Sequence, residues 1–188
     1  LAILYLLKRG MEDKGVRIYL DFGQSFTFGS DFFTSWLQPR SLNGLGDYFE
    51  FGLLPKISGL YSKEMLASTN LAYTEPDIDC VFLSHAHFDH ITHIEFLDPA
   101  IPVCMGVGTK LFMESMEETG YFTDYGVHPC KKFRTSHKIK IDNLTVEPIA
   151  VDHSIPAAYG FIIYTSEGAV VYTGDLRQHG PRKDLTEN

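Results

Sequence analysis

Apolar residues along the chain fall mainly into short runs, which polar segments rich in Gly, Pro, Asn and Asp separate. Short runs that contain Val, Ile and Tyr are typical of buried β-strands. They predict strands at 2–8, 16–21, 79–84, 101–105, 137–141, 144–151, 159–165 and 168–173. Turn residues at 10–15, 142–143 and 166–168 predict hairpins between neighbouring strands of this set.

Helical spacing of apolar residues is less frequent and predicts helices at 61–68, 91–97 and 109–118. The last helix carries its apolar residues on one predicted face, namely Leu111, Phe112 and Met116, and Gly120 follows as a C-terminal cap. Residues 22–60 show no sustained period, so we expect a long loop with one short helix. Long irregular loops often serve as lids or binding loops.

The composition is that of a globular protein. The chain has 188 residues, of which 44% are hydrophobic and 21% are charged. These values predict one domain with a substantial core and exclude a disordered chain. The formal net charge of −8 excludes a nucleic-acid footprint over the whole surface. A local basic groove stays compatible with that net charge, because it depends on where the cations lie.

Three cysteines, Cys80, Cys104 and Cys130, lie far apart and form no Cys-x-x-Cys pair. We therefore expect reduced, structural thiols and a cytoplasmic location. The apolar start, residues 1–7, is too short to span a bilayer and lacks the features of a signal peptide, so no membrane association is predicted. Because the chain does not begin with methionine, we expect it to start within a longer gene product. Homo-oligomerisation stays open.

The most informative segment is His-Ala-His-Phe-Asp-His at residues 85–90. Imidazole nitrogens and carboxylate oxygens are both ligands for zinc. His85 and His87 project to the same side of an extended segment, while Asp89 and His90 follow where we expect the chain to turn. One loop of this kind can serve two adjacent metal ions. The alternative, a histidine-rich surface loop or tag, fits poorly between a buried strand and a helix.

Two further strand ends carry candidate ligands. His153 follows the strand at 144–151, and Asp175 follows the strand at 168–173. Either residue alone is an ordinary loop residue, but the cluster at 85–90 favours a shared metal site, because layered folds often assemble sites from several strand ends. The remaining histidines are interpreted as surface or satisfied core residues, namely His93, His128 and His137.

The order of these residues resembles that of the metallo-β-lactamase superfamily: Asp21, the cluster at 85–90, His153 and Asp175. The segments DHSIPAAYGF and VYTGDLR further resemble its β-CASP branch, which includes ribonuclease J-like nucleases and related uncharacterised hydrolases. The resemblance implies an α+β fold, a four-layer αββα sandwich with metals at one edge of the paired sheets. Residues 1–188 would then be the front part of such a domain, with the last strands and an accessory domain expected beyond Asn188.

The resemblance also implies the cofactors, which are two divalent metal ions, with Zn²⁺ the expected metal. By position, His85, His87 and His153 would hold one ion, Asp89 and His90 the second, and Asp175 would bridge the two. Two such ions lower the pKa of a shared water, which then attacks as hydroxide.

Two carboxylates are implied to act in catalysis. Asp89 would position the attacking water as well as bind metal, and Asp21 would orient a ligand without being one itself. The alternative for Asp21 is a strand-end acid that backbone donors satisfy. A complete family member supplies one more histidine after Asp175, and we do not assign that role to His179, which we interpret as an exposed loop residue.

The leading functional hypothesis is a zinc-dependent phosphodiesterase or ribonuclease that acts on RNA or single-stranded DNA. A second hypothesis is a hydrolase of small thioesters, lactones or phosphoesters, and a third is a non-catalytic, metal-stabilised binding module. Fold resemblance alone does not fix a substrate. Aromatic residues of the long loop can stack on bases, but we favour the interpretation that they cover the sheet edge: Phe26, Phe28, Phe32, Phe33 and Trp36.

Overall fold

The structure is a computed structural model that describes residues 10–24, 33, 38–120 and 125–187. Its strands are β1 (Gly10–Asp13), β2 (Val16–Leu20), β3 (Cys80–Leu83), β4 (Val103–Gly106), β5 (Cys130–Phe133), β6 (Ile139–Ile141), β7 (Leu144–Ala150), β8 (Tyr159–Thr165) and β9 (Gly168–Tyr172). Its α-helices are α1 (Gly46–Glu50), α2 (Lys63–Leu66), α3 (Phe88–Ile91), α4 (Val107–Glu118) and α5 (Asp184–Glu187). Short 3-10 helices lie at Ser41–Asn43 and Thr92–Phe96.

The first sheet has the strand order β1-β2-β3-β4-β5. β1 and β2 form an antiparallel hairpin, whereas β2, β3, β4 and β5 all run parallel. The C-terminal ends of four neighbouring strands therefore lie along one edge of this sheet.

The second sheet is an antiparallel meander with the order β6-β7-β8-β9. Because β7 and β9 both pair antiparallel with β8, they run in the same direction and end at the same edge. The backbone N–H of Tyr159, which starts β8, donates to the carbonyl of Ser84, which follows β3, at 3.0 Å. This bond joins the strand-end edges of the two sheets.

Two hydrophobic cores arrange these elements in layers. One core lies between the sheets and includes Ile18 and Phe82 of the first sheet and Phe161 and Ile163 of the second. The other core lies between the first sheet and its helical and loop segments. The predicted α+β sandwich of two facing sheets is confirmed. The described residues supply three of its four predicted layers, since Val171 is 66% exposed on the second sheet.

The first hairpin differs from its prediction. The predicted strand at 2–8 lies outside the described residues. Where the sequence predicts a turn at 10–15, the structure continues β1 to Asp13 and turns only at Lys14-Gly15. Both turn residues have positive φ, +49° and +87°, as expected for the two-residue hairpin turns that match strand twist.

Two further predictions need correction. β5 is absent from the predicted strands because lysines occupy positions 131 and 132 of this edge strand and leave no apolar run. In α4 the predicted apolar face is wrong at two of its three residues, since Leu111 is 59% exposed and Phe112 is 37% exposed, whereas Met116 packs against the core. The helix instead buries Thr109 and Met113, one helical turn apart, against the sheet. No helix among the described residues is long and apolar enough to cross a membrane.

Phe82→Ala should lower the free energy of unfolding by about 3–5 kcal/mol, because it opens a cavity between the two sheets where Phe82 contacts Phe161. Urea denaturation measures this loss. The control Leu111→Ala removes an exposed side chain and should change stability by less than about 0.5 kcal/mol. Equal losses in the two variants would contradict the placement of the core.

Candidate metal centre

The segment at 85–90 spans the end of a strand and the start of a helix. β3 ends at Leu83, and His87 is an extended residue that immediately precedes α3. The helix begins at Phe88, earlier than the predicted start at 91. Asp89 and His90 therefore lie on the first turn of a helix rather than in a turn. The buried strand and the helix together fix the directions of all four polar side chains.

Three imidazoles converge above the strand end. His85 Nε2 lies 2.9 Å from His87 Nδ1, and His153 Nε2 lies 3.2 Å from the same nitrogen. All three nitrogens lie within 4.8 Å of one another, a grouping that can hold a metal ion. The structure thus brings His153, which follows β7, to the two histidines that follow β3, as the resemblance implies for the first metal.

A second group adjoins the first and contains carboxylates. His85, His90 and Asp175 also place one ligand atom each within 4.8 Å of one another. Asp175 Oδ2 lies 3.5 Å from His90 Nε2 and 3.8 Å from His153 Nε2, so it faces both groups. Asp89 Oδ2 lies 3.5 Å from His90 Nε2. All six predicted ligands therefore gather at one place.

Asp21 lies beneath these ligands and is 1% exposed. Its carboxylate accepts hydrogen bonds from the Ser84 backbone N–H (2.6 Å), the Ser84 hydroxyl (2.7 Å), the Tyr172 hydroxyl (2.6 Å) and His90 Nδ1 (2.8 Å). It also adopts a left-handed backbone conformation, with φ +61°. Both interpretations of Asp21 thus describe part of the geometry, because it satisfies a backbone donor and also orients His90.

This network sets the tautomers of two ligands. The Ser84 hydroxyl donates its single proton to Asp21, so it accepts from His85 Nδ1 at 2.9 Å. His90 Nδ1 donates directly to Asp21. Each ring therefore turns its Nε2 towards the neighbouring ligands. A carboxylate that binds the far side of a ligating imidazole is a common feature of metal centres.

The pKa values follow from burial and from the nearby carboxylates. Burial lowers the pKa of His85 to about 3, and the charge of His90 acts in the same direction. Burial also lowers the pKa of His153. For His90, burial acts downward, but hydrogen bonds to Asp175, Asp21 and Asp89 outweigh it and raise the pKa to about 12. The hydrogen bond from His90 lowers the pKa of Asp175 to about 2.

These residues fit divalent cations. Neutral imidazoles such as His85 and His153 are in the state that a metal requires. In the second group, in contrast, His90 is surrounded by the carboxylates of Asp175, Asp21 and Asp89. Asp89 Oδ1 is buried and has no hydrogen-bond partner, which is costly unless a cation or water satisfies it. The donor set of imidazole and carboxylate matches zinc and related transition metals.

Sequence reasoning missed several residues that support the site. Ser84 and Tyr172 connect Asp21 to the ligands, and no spacing pattern indicates hydroxyl partners of this kind. Arg177 and Asp152 join the loops that carry His153 and Asp175. The Arg177 side chain donates to Asp152 Oδ1 at 3.2 Å, and its backbone N–H donates to the Asp152 carbonyl at 2.8 Å.

The other histidines lie outside both ligand groups. His93 is buried and stacks on Phe96, so it is a core residue, as one of its two interpretations held. His137 and His179 are exposed. Among the loop aromatics, Phe33 packs edge-on against Phe51 with ring centroids 5.3 Å apart, and the other four lie outside the described residues.

His87→Ala should lower the content of bound zinc, because His87 Nδ1 is the nitrogen that both other imidazoles of the first group approach. Elemental analysis after zinc loading and desalting measures this content. The matched control His179→Ala removes an exposed imidazole and should leave the content unchanged. Equal zinc in His87→Ala and the unaltered protein would contradict the assignment.

Asp21→Asn should raise the zinc dissociation constant by about 10–100-fold, because the amide no longer holds His90 and Ser84 as an anion does. Competition with a chromophoric chelator measures this constant. Tyr172→Phe removes only one of the donors to Asp21 and should cost about 1 kcal/mol of stability. An unaltered constant in Asp21→Asn would show that Asp21 is only a structural acid.

Relatives of this chain include nucleases. Ribonuclease J of Mycobacterium tuberculosis (strain CDC 1551 / Oshkosh) is 33% identical over 105 residues, which cover 54% of this chain and 18% of that protein. Ribonuclease J of Pyrococcus abyssi is 31% identical over 102 residues, which cover 52% of this chain and 22% of that protein. The chain thus matches about a fifth of the length of these relatives.

Solved structures share the fold. A protein of unknown function from Enterococcus faecalis V583 superposes with a TM-score of 0.74 and 28% identity, covering 95% of this chain and 42% of that protein. A metallo-β-lactamase of Cronobacter sakazakii, a HARLDQ-motif mutant, superposes with a TM-score of 0.52 and 14% identity, covering 95% and 62%. The family model for the beta-lactamase superfamily domain matches residues 60–186. The chain therefore belongs to the metallo-β-lactamase superfamily.

Proposed function

We propose that this chain provides the metal-binding part of a zinc-dependent phosphodiesterase that cleaves single-stranded RNA. The observation that carries the proposal is the pair of adjoining ligand groups, which meet at His85 and Asp175. Divalent ions about 3.5–4 Å apart, held by two such groups, are the usual arrangement for hydrolysis of phosphate esters.

The ligands divide between the two ions by their chemistry. His85, His87 and His153 would hold the first ion, and His90 with Asp89 would hold the second. Asp175 faces both groups and is suited to bridge them. Such ions supply a water of lowered pKa and offset the negative charge that develops on a phosphate oxygen.

The chain itself holds and orients the reacting groups. Asp89 has one carboxylate oxygen without a hydrogen-bond partner, which can accept a proton from the attacking water and fix its direction. Asp21 keeps the His90 ring in place through the bond to Nδ1. The side chain of Asp175 is 49% exposed and that of His90 is 2% exposed. Substrate would therefore approach from the side of Asp175.

RNA as substrate rests on the relatives. The names of the two ribonucleases and the two segments that resemble the β-CASP branch both favour a nuclease. The ligand geometry suits phosphodiesters and other esters alike. Cys80, Cys104 and Cys130 are free, which agrees with the cytoplasmic location that we propose.

Zinc-loaded protein should shorten a fluorescently labelled single-stranded RNA of twenty nucleotides, as resolved on a denaturing gel. His87→Ala and excess chelator should both reduce cleavage to background, because the first removes a metal ligand and the second removes the metal itself, whereas the control His179→Ala should cleave normally. Hydrolysis of thioesters, lactones or small phosphoesters without RNA cleavage would favour the small-molecule hydrolase. No hydrolysis of any of these by zinc-loaded protein would favour a binding module.

A further inference from the structure

The positive charge of this chain is concentrated in one place. Residues 125–141 contain five of the 16 Lys and Arg residues and no Asp or Glu, so the remainder holds 11 basic against 24 acidic residues. We call these five cations the basic rim: Lys131, Lys132, Arg134, Lys138 and Lys140. All five are exposed. In a chain of net charge −8, such a segment makes a local positive field of the kind that attracts polyanions.

The fold places one part of the basic rim, around Arg134, on the side of the metal centre, whereas Lys140 pairs with Thr145 near the start of β7. β5 is the outer strand of the first sheet and runs parallel to β4 and β3, so its C-terminal end lies at the edge that carries the metal ligands. Arg134 directly follows that end. At about 4.8 Å between neighbouring strands, β5 lies on the order of 10 Å from β3.

The chain then crosses to the second sheet at the same edge. β6 is the outer strand of that sheet and runs antiparallel to β7, so it begins near the end from which β7 leads to His153. The Ser136 backbone N–H donates to the Pro148 carbonyl at 2.8 Å and fixes this crossing against β7. Arg134 and Lys138 therefore flank the connection that crosses between the two sheets beside the last residues of β7.

The surroundings of individual cations agree with this placement. Burial raises the pKa of the Tyr159 hydroxyl, and the Arg134 charge opposes that rise, so the guanidinium lies near the strand that starts beside Ser84. Lys138 Nζ lies 3.3 Å from Glu147 Oε2 and 5.0 Å from the centroid of the Tyr164 ring. Glu147 thus offsets one of the five charges.

We infer that the basic rim binds the phosphate backbone of single-stranded RNA and guides it towards the metal centre. This inference rests on the function proposed above and adds the surface that the strand follows. Two strand spacings, on the order of 10 Å, separate β5 from β3, so a short segment of RNA can contact both Arg134 and the ligands. The competing explanation is that lysines on two outer strands only prevent edge-to-edge association.

The test measures RNA binding separately from cleavage. Fluorescence anisotropy with a labelled oligouridine of twenty nucleotides, in EDTA and at a series of KCl concentrations, gives the salt dependence of the binding constant. The triple variant Lys132→Gln/Arg134→Gln/Lys138→Gln should bind more weakly. Its slope of log K against log [KCl] should be smaller in magnitude by about 1.4, because each phosphate that a cation neutralises on a single strand adds ~0.7 to that slope and Glu147 already offsets Lys138.

The matched control carries the same change in net charge elsewhere. Lys14→Gln/Lys56→Gln/Lys63→Gln alters three exposed cations outside the basic rim and should keep the slope of the unaltered protein. Equal slopes in the rim variant and the unaltered protein, an equal decrease in the control, or no binding by the unaltered protein would each overturn the inference. Since these measurements are made without metal, RNA cleavage by the zinc-loaded protein still decides the proposed function independently.

Should the triple variant aggregate, the single variant Arg134→Gln keeps the test decisive, because residue 134 lies beyond the end of the edge strand β5. Its slope should decrease in magnitude by about 0.7. An unaltered slope in that variant would exclude Arg134 from the RNA path.

Discussion

The buried carboxylate of Asp21 makes the hydrogen bonds on which the geometry of the candidate metal centre depends. An ionised carboxylate without water is costly unless hydrogen bonds compensate it. Here burial acts to raise its pKa, but hydrogen bonds, from His90 first, outweigh that effect and lower the pKa. Its donors come from the end of β3, from α3 and from β9. Three elements that are distant in sequence are thus held to one anion, and each of them carries or adjoins predicted metal ligands.

The backbone around Asp21 shows the same dependence. The positive φ of this residue is uncommon for an amino acid with a side chain, and the turn it makes brings the next residues against α3. The Phe22 N–H donates to the His90 carbonyl at 2.8 Å. A side chain at Gly23 would collide with the backbone of Asp89 and His90, so glycine is required for this close approach. The left-handed backbone of Asp21 and the absence of a side chain at Gly23 together allow this segment to pack closely against α3.

The sequence predicts the candidate metal ligands better than the residues that hold those ligands in place. His85, His87, His153 and Asp175 could be found because each follows an apolar strand, and strand ends of one layered fold gather at one edge. The resemblance added the order and the division between two ions. Ser84, Tyr172 and the pair of Asp152 and Arg177 could not be found, because their roles depend on the side-chain distances that only the packed sheets define.

Errors in the predicted elements have a related origin. Strand prediction relied on apolar runs, and the lysines of β5 interrupt the run although its backbone still pairs with β4. The prediction of the buried face of α4 fails at Leu111 and Phe112, because both side chains are apolar but exposed to solvent. The predicted turn at 10–15 is longer than the observed turn at Lys14-Gly15, because the polar residues before Lys14 belong to β1. In each case tertiary contacts, rather than local preference, decide the outcome.

His85 belongs to both ligand groups, yet its Nε2 has a single lone pair. That nitrogen can complete the coordination of only one cation at a time. The two positions are therefore unequal from the outset: one is rich in neutral nitrogen donors and the other in anionic oxygens. Softer ions suit a group rich in imidazole and harder ions one rich in carboxylate, so on the function proposed above the two groups would differ in the element that each prefers.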